Sequence, residues 1–363
     1  MQKIKFLKTL DHLVTNECIA IYGSGDTGVK LKSMIEKNRK DISISFFIDS
    51  NDDGKIEKIP IYRLKNIHDY IKDINQIIIA SIFWHDIERQ LLIEGINCKY
   101  LIISNYILYQ MSDIRNINNF YFSKEEFLKG KQNKLEQTKK LFKKERDIKL
   151  FSCLIDFRIK KIANKYNTWF LDNVSKRNNM YFDYLKKDFI QTIFEGGVYD
   201  GSDTYQFVQK FHNKKCIIGF EPDYNFFCKS PFYKLLQKDN IKIYPYQLSD
   251  KTFKNKENNN NNENPHFSKI TGDDFVKNFH IEKVDYIKMD IEGDELKALK
   301  GFKKTIQSHR PQLAISIYHD KDHLYSIPLY LTSIVDNYSL YLNAYSDSFI
   351  DSVLYAIPHE LEG

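Results

Sequence analysis

QTIFEGGVYDG, residues 191–201, is the stretch that decides the fold of the second half of the chain. An apolar run leads into an acidic residue, and two glycines then give the pattern E-x-G-x-x-x-G. Glycine lets a backbone turn tightly and approach a ligand, and the N–H groups at the start of a following helix face that ligand. The pattern predicts a strand, a ligand-binding turn and a helix. The residues expected beside the ligand are Glu195, Gly197, Tyr199, Asp200 and Gly201.

A second predicted strand ends in GFEPD, residues 219–223, and places Glu221 at its tip. In doubly wound folds an acid at this position accepts hydrogen bonds from ribose hydroxyls. The alternative is a surface acid that merely ends a strand, but the distance of one βαβ unit from Glu195 favours the ribose role. Because the turn itself carries carboxylates, a cationic nucleoside suits it better than a pyrophosphate. S-adenosylmethionine, with its ammonium and sulfonium groups, is such a ligand.

A third motif, YIKMDIEGDELKALKG at residues 286–301, resembles the signature of the FkbM family of S-adenosylmethionine-dependent methyltransferases. EGGVYDGSDT is similar to that family's cofactor turn, GFEPD to its ribose acid and QLSDKTF to its third strand. The last similarity adds Ser249 and Asp250 to the expected cofactor residues. The resemblance spans roughly residues 189–357 and implies a class I methyltransferase fold ending in an antiparallel hairpin. The Asn-rich insert at residues 254–266 is no family feature; it is interpreted as a loop, with a lid as the alternative.

The resemblance implies that Lys288, Asp290 and Glu292 line the substrate side of the methyl donor. Strand alternation puts these three side chains on one side, with Asp290 holding the acceptor. Structural alternatives stay open, since Lys288 pairing with Asp290 and Glu292 capping the next helix would both be ordinary. His319, at the end of LAISIYHD, is the candidate general base because imidazole titrates near neutral pH. Asp290 is the best candidate for a metal ligand, but two carboxylates do not define a site, so a divalent cation is possible but not predicted.

The first half of the chain carries a second glycine turn, IYGSGDTG, with Gly23, Gly25 and Gly28, and an acid, Asp49, after the next strand. By spacing this satisfies a dinucleotide fingerprint. The predicted domain is short for a complete dinucleotide fold, and no hydride-transfer pair follows it. Three interpretations stay open: binding of a nucleotide-sugar or other substrate by these glycines, a structural or dimer-forming role, and binding of NAD.

Alternating strands and helices predict an α/β protein with two Rossmann-like doubly wound domains joined by long helices. The predicted parts are an N-terminal domain at residues 1–111, a helical connector at 112–188 and a methyltransferase domain at 189–363. Five widely spaced cysteines without C-x-x-C argue against a disulfide framework and favour a reducing compartment. The modest net charge of +6 does not favour nucleic acid, and no apolar run is long enough to span a membrane. We therefore expect a cytoplasmic protein, whose long helices leave homo-oligomer formation open.

These patterns predict an S-adenosylmethionine-dependent O-methyltransferase that acts on a hydroxyl of a sugar, either nucleotide-activated or part of a surface-glycan or capsule precursor. The sugar comes from family precedent and from the first domain, and no single residue identifies it. The alternatives are an NAD-dependent nucleotide-sugar oxidoreductase working through the first domain, and a binding protein with a degenerate transferase domain. Intact turn and strand-end acids argue against degeneration.

Overall fold

The chain divides into two compact units, Met1–Asn116 and Ile117–Gly363, in a computed structural model. The structure describes residues 6–7, 10–50, 52–81, 84–96, 98–103, 130–160, 168–175, 179–253, 268–346 and 350–362. The Asn-rich insert predicted as a loop or lid, and residues 112–129 of the predicted connector, lie outside these ranges.

The first unit is built on one seven-stranded sheet flanked by helices. In chain order its elements are β1 (Phe6–Leu7), β2 (Cys18–Tyr22), α1 (Asp26–Asn38), β3 (Ser43–Asp49), β4 (Gly54–Ile56), β5 (Ile59–Arg63), β6 (Gln76–Ile79), α2 (Trp84–Ile93) and β7 (Tyr100–Ile103), with short 3-10 helices at Leu10–His12, Leu64–Asn66 and Ile71–Asp73. The strand order is β1-β7-β6-β2-β3-β5-β4, and β4 alone of these strands pairs antiparallel to its neighbour.

Both faces of this sheet are buried, which is why its strands are near-continuous runs of Ile and Phe. Ile19 and Ile21 join the core on one face, while Ala20 and Tyr22 join the core on the other. The turn after β2 depends on glycine: Gly23 has φ +111, and a Cβ on Gly28 would lie 1.9 Å from the Gly23 carbonyl oxygen. The first glycine turn is therefore confirmed as a fold signal, a strand-to-helix turn in a parallel sheet.

The second unit holds a larger set of elements around a second seven-stranded sheet. In chain order they are α3 (Gln132–Lys139), α4 (Glu145–Lys160), α5 (Thr168–Asn173), β8 (Thr192–Gly196), α6 (Ser202–Lys210), β9 (Cys216–Phe220), α7 (Tyr224–Cys228), β10 (Ile241–Tyr244), β11 (Tyr246–Leu248), β12 (Ser268–Ile270), α8 (Gly272–Asn278), β13 (Tyr286–Met289), α9 (Glu295–Gly301), α10 (Lys303–His309), β14 (Gln312–Ser316), α11 (His323–Ile334), β15 (Tyr338–Ala344) and β16 (Ser352–Pro358), with 3-10 helices at Lys187–Phe189, Tyr233–Leu236 and His359–Leu361.

The sheet of the second unit has the order β10-β9-β8-β13-β14-β16-β15. Counted from β8, its strands therefore stand in the order third, second, first, fourth, fifth, seventh, sixth. The pairs from β10 to β14 are parallel, and β16 runs antiparallel between β14 and β15. The predicted α/β class, the second doubly wound domain and the closing antiparallel hairpin are all confirmed.

One predicted strand is split in two. The sequence analysis treats IKIYPYQLSD as a single third strand, but β10 ends at Tyr244 and β11 begins at Tyr246. Pro245 separates them because proline has no N–H to donate to a sheet ladder. β10 stays at the edge of the main sheet, whereas β11 pairs with β12 in a separate two-stranded sheet.

The described helices of the predicted connector belong to the second unit. α4 packs against β15, and α3 packs against α11. Arg146 on α4 donates to the Leu342 carbonyl at 3.0 Å and to Asn343 Oδ1 at 2.7 Å, so a cation of the Lys- and Arg-rich stretch is used in packing. The three-part division at residues 111 and 188 stays a prediction.

Candidate active site

The glycine turn after β8 has the backbone that its sequence predicts. Gly197 and Gly201 have φ +77 and φ +85, and a Cβ on Gly197 would lie 1.8 Å from the Asp290 carbonyl oxygen. Gly201 caps α6, and Asp200 Oδ1 accepts from the Ser202 N–H at 2.9 Å. The turn is thus pressed against the end of β13, where only a residue without a side chain fits.

Glu221 joins the turn to the end of β9. Its Oε2 accepts from the Tyr199 N–H at 2.7 Å, and its Oε1 accepts from the Asp223 N–H at 2.9 Å. A carboxylate has about four lone-pair sites, so further hydrogen bonds from a ligand remain available. Tyr199 itself has φ +51, and its exposed ring stacks on Phe226 with centroids 4.7 Å apart. The stacked rings of Tyr199 and Phe226 therefore lie next to the oriented carboxylate of Glu221.

Glu195 and Lys288 form a buried ion pair beneath the turn. Lys288 Nζ lies 3.5 Å from Glu195 Oε1 and 3.4 Å from Asp203 Oδ2, and it donates to the Gly197 carbonyl at 2.7 Å. Burial alone lowers the pKa of Lys288, but Asp203 and Glu195 outweigh it and raise that pKa. Glu195 Oε2 accepts from Thr204 Oγ1 at 2.6 Å.

Two predicted site residues form this ion pair, and their roles toward a ligand stay predictions. Glu195 has no exposed surface and supports the turn through its contacts with Lys288 and Thr204. Lys288 is also buried, and its partners are Glu195 and Asp203 rather than Asp290. A buried ammonium group requires nearby anions. Strand alternation predicts the side of the sheet on which Lys288 lies, but it does not predict which anionic side chains lie beside it.

Asp290, directly after β13, is held by two tyrosines. Tyr181 Oη donates to its Oδ2 at 2.8 Å, and Tyr318 Oη donates to its Oδ1 at 3.2 Å. Burial first, and then the charge of Asp290, raise the pKa of both phenols well above its ordinary value. Both hydroxyls therefore stay protonated and act as donors. The Asp290 side chain keeps 25% of its surface exposed, which leaves it accessible from the crevice.

His319 lies beside Asp290, three residues after β14 ends. Its Nδ1 lies 2.7 Å from Glu295 Oε1, while its Nε2 lies 3.4 Å from Asp290 Oδ1 and 3.6 Å from Glu292 Oε2. His323 Nδ1 lies 3.2 Å from the other oxygen of Glu295, without the alignment of a hydrogen bond. Burial lowers the pKa of His319, but the hydrogen bond and charge of Glu295, followed by Asp290 and Glu292, raise it overall.

Glu292 does not cap the following helix. The backbone of Glu292 has φ +55 and its side chain is 92% exposed, and α9 begins only at Glu295. Instead Glu295 accepts from the Ile291 N–H at 2.9 Å and from the Gly293 N–H at 3.4 Å. The capping alternative is therefore wrong for Glu292, because the chain turns through left-handed backbone at Glu292 and Gly293 before the helix starts.

Ser249 and Asp250 follow β11, not the third strand of the main sheet. The Ser249 N–H donates to the Ile270 carbonyl at 3.0 Å, and its Oγ lies 3.3 Å from Asp250 Oδ1. A Cβ on Gly301 would lie 2.0 Å from the Ser249 carbonyl oxygen, so the end of α9 packs closely on this backbone. The role of Ser249 and Asp250 toward a cofactor stays a prediction.

In the glycine turn of the first unit, Ser24 is hydrogen-bonded to Asp49, the acid that ends the next strand. Asp49 Oδ2 accepts from Ser24 Oγ at 2.6 Å and from the Ser24 N–H at 3.2 Å. Tyr22 Oη, from the end of β2, lies 2.9 Å from Ser50 Oγ. Substrate binding by Gly23, Gly25 and Gly28 stays a prediction.

Among the described residues, one set of three offers atoms with the spacing of metal ligands: Asp290, Glu295 and His319, all within 4.8 Å of one another. The contact between Glu295 and His319 is 2.7 Å, the length of a charge-assisted hydrogen bond. We therefore treat these two atoms as partners of each other and do not propose a cation here. Asp290 as the best metal ligand stays a prediction.

Three members of the site are absent from the sequence-based prediction. Glu295 lies inside the recognised motif, but its spacing resembles an ordinary first-turn acid. Tyr318 precedes His319 as part of an apolar run. Tyr181 lies 109 positions before Asp290 and has no local signal at all.

The strand order of the second sheet is that of the class I methyltransferase fold, and Gly197, Glu221, Asp290 and His319 follow the carboxyl ends of β8, β9, β13 and β14. Residues 195–345 match the family described as "Methyltransferase FkbM domain". The predicted resemblance to the FkbM family is therefore confirmed for residues 195–345.

Comparison with one solved structure supports the fold, and a second solved structure is similar over a shorter length. Methyltransferase FkbM from Methylobacillus flagellatus KT is similar over 94% of this chain and 90% of its own, with a TM-score of 0.55 and 16% sequence identity. Aeropyrum pernix fibrillarin, solved with natively bound S-adenosyl-L-methionine, is similar over 49% of this chain and 71% of its own, with a TM-score of 0.33 and 10% identity. No curated protein sequence matches the chain. Among the described residues, no helix has the length and apolar character needed to cross a membrane.

Proposed function

We propose that this protein is an S-adenosylmethionine-dependent O-methyltransferase that acts on a sugar hydroxyl. The observation that carries the proposal is that a glycine turn, a strand-end acid and an aspartate–histidine pair follow neighbouring strands at one edge of the sheet. In open α/β sheets ligands bind outside the carboxyl ends of the strands, where the strand order reverses. That reversal lies between β8 and β13, beside Gly197 and Asp290.

The described residues fit a methyl-donating nucleoside. Glu221 is fixed by two backbone N–H groups and keeps lone pairs for ribose hydroxyls. The ring pair of Tyr199 and Phe226 offers an exposed apolar surface next to it. When bound, S-adenosylmethionine supplies an activated methyl group on a sulfonium.

The acceptor side fits a neutral hydroxyl. In the neutral tautomer with a proton on Nδ1, His319 donates to Glu295 and keeps a lone pair on Nε2, which lies between Asp290 and Glu292. His319 Nε2 would accept the proton that the acceptor hydroxyl loses when it takes up the methyl group. Asp290, held by two phenols, orients the hydroxyl by accepting its hydrogen bond. Two carboxylates beside Nε2 disfavour a phosphate there, so the phosphates of a nucleotide-sugar would have to lie elsewhere.

Calorimetry with S-adenosylhomocysteine and with NAD tests the cofactor. We expect binding of S-adenosylhomocysteine alone, and a loss of about 10-fold or more in affinity for Glu221→Ala because hydrogen bonds to a charged group disappear. Glu282→Ala, which changes an exposed acid outside the site, is the matched control. Unchanged binding in Glu221→Ala would show that the cofactor site is misplaced, and binding of NAD would favour the oxidoreductase.

The acceptor is tested by incubating the protein with labelled methyl donor and a panel of nucleotide-sugars and free glycans. We expect the label in a sugar product and its loss in both His319→Ala and Asp290→Ala. Activity that persists in both variants would remove the acceptor side of the mechanism. Full activity after treatment with EDTA is expected, since the proton moves to His319 without a cation.

A further inference from the structure

We propose that Glu295 is a positioning residue that holds His319 by its Nδ1 atom and thereby presents Nε2 of His319 to the acceptor. The inference rests on the proposed function and deepens it, because it assigns the group that decides which imidazole nitrogen faces the crevice. It concerns a residue that touches neither the acceptor nor the methyl donor.

The geometry singles out Glu295 among the carboxylates near His319. Its side chain has no exposed surface, whereas those of Asp290 and Glu292 are 25% and 92% exposed. Its two oxygens face different imidazoles, Oε1 toward His319 at 2.7 Å and Oε2 toward His323 at 3.2 Å. Because the other two carboxylates lie near Nε2, only Glu295 touches the Nδ1 side of His319.

Glu295 is itself rigidly held. Its Oε1 also accepts from the Ile291 N–H, and it begins α9, while His323 begins α11. α9 and α11 pack against each other. The buried carboxylate of Glu295 thus contacts the loop after β13, the ring of His319 and the first residue of α11. A hydrogen bond to one imidazole nitrogen determines which nitrogen carries the proton.

The charged and titratable groups that face His319 are Asp290 and Glu292 from the loop after β13, Glu295 from α9, the neighbouring Tyr318 and, through Glu295, His323. Burial raises the pKa of Glu295, but the hydrogen bond with His319 and the nearby His319 and His323 rings outweigh it and lower that pKa overall. The carboxylate therefore stays ionised and favours a proton on the nitrogen that it touches.

The tautomer of His319 tests the proposal directly and needs no acceptor. The full-length protein is labelled with 15N-histidine, and His319→Gln identifies the His319 signals. We expect neutral His319 to carry its proton on Nδ1. In Glu295→Ala, which removes the acceptor, we expect the Nε2–H form to prevail. Wild-type protein with the proton on Nε2, or an unchanged tautomer in Glu295→Ala, would overturn the proposal.

Glu295→Gln separates charge from orientation and serves if the alanine variant fails to fold. It keeps an oxygen for the Nδ1–H but removes the charge, so we expect the tautomer to persist while the proton affinity of His319 falls about 10-fold or more. Glu292→Gln is the matched control, because it removes an exposed carboxylate at the other nitrogen and should change that affinity by less than about 3-fold. Equal effects of the two variants would contradict the assignment.

The same variants connect the inference to catalysis. In Glu295→Gln the acid side of the pH profile of kcat should move to lower pH by the amount measured for His319, with KM for the methyl donor unchanged. If wild-type protein transfers no methyl group while the tautomer results are as expected, the proposed function fails and the positioning role stands. If methyl transfer occurs and the tautomer is indifferent to Glu295, the positioning role alone fails.

Discussion

Lys288 and Glu195 form a buried ion pair that supports the glycine turn after β8. The ammonium reaches the Gly197 carbonyl and two carboxylates, and its side chain is only 2% exposed. Breaking a buried pair leaves one charge without compensation, which costs about 3–5 kcal/mol. We expect this penalty for Lys288→Met, measured by urea unfolding. The double variant Glu195→Gln with Lys288→Met should recover part of the loss, and a double variant worse than the sum of the single ones would contradict the pairing.

The hydroxyl of Tyr181 is a second residue-scale case. Removing a hydrogen bond to a charged group costs about 1.5–3 kcal/mol, so Tyr181→Phe should slow methyl transfer about 10-fold or more. Affinity for S-adenosylhomocysteine should stay within about 2-fold, since the hydroxyl meets Asp290 rather than the cofactor turn. Tyr184→Phe is the control: Tyr184 has a similar φ of +62 in the same segment, but its hydroxyl contacts Arg146 at 3.3 Å. Equal rates for the two variants would exclude the role of Tyr181.

The pair of Glu295 and His319 makes stability depend on pH. The pKa of His319 is raised above 6.5, so its contribution is complete below 6.5 and is lost as pH rises through the folded value. The pKa of Glu295 is lowered below 4.5, so its contribution is complete above 4.5 and is lost as pH falls. The decrease in unfolding free energy caused by Glu295→Gln should therefore be largest between pH 4.5 and pH 6.5 and smaller at pH about 9. A loss that is constant with pH in urea titrations would count against the pair.

Residues at strand ends could be predicted from the sequence, and their partners could not. Glu221, Asp290 and His319 follow apolar runs, and the carboxyl ends of parallel strands share one edge, so their neighbourhood follows from pattern alone. The contacts of Asp290 with Tyr181, and of Lys288 with Asp203, depend on packing between elements that are distant in sequence. Periodicity gives the side of a strand that a residue occupies but says nothing about what packs against it.

At the scale of elements, the turn after β8 depends on Gly197. A side chain there would require left-handed backbone and would place its Cβ 1.8 Å from the Asp290 carbonyl oxygen. We expect Gly197→Ala to lose binding of S-adenosylhomocysteine and to destabilise the second unit, measured by calorimetry and by urea unfolding. Gly25→Ala is the control, since φ there is −72 and no atom lies within 4 Å of its added Cβ. Normal binding by Gly197→Ala would show that the turn can relax.

The elements themselves were largely predictable, and the main failure has a simple cause. Ile-rich runs bounded by turn residues give β2, β3, β6, β8 and β13 because parallel strands bury both faces. IKIYPYQLSD has the same apolar character, yet Pro245 ends β10, and the following residues pair with β12, whose position depends on chain folding beyond the insert.

For the whole molecule, two units with separate cores predict unfolding in two steps. S-adenosylhomocysteine should raise only the step of the second unit, by about 2.7 kcal/mol at 100 times its Kd. NAD should raise neither step. Calorimetric scans of the full chain, with Glu221→Ala as the control that abolishes the shift, test this. A shift of both steps, or a single step throughout, would mean that the units do not unfold independently.

The position of β16 affects where the boundaries of the second unit of this protein should be drawn. The family match ends at residue 345, yet β16, Ser352–Pro358, is the strand that joins β15 to the rest of the sheet. The match likewise begins at residue 195, after Tyr181, whose N–H donates to Tyr355 Oη on β16 at 3.0 Å. The matched segment is therefore shorter than the part of the chain that shares this sheet and its core. Anyone who recombines such domains should cut before residue 117, where the second unit begins, and keep the C-terminal strand, since a fragment trimmed to residues 195–345 would lose β16 and part of its core.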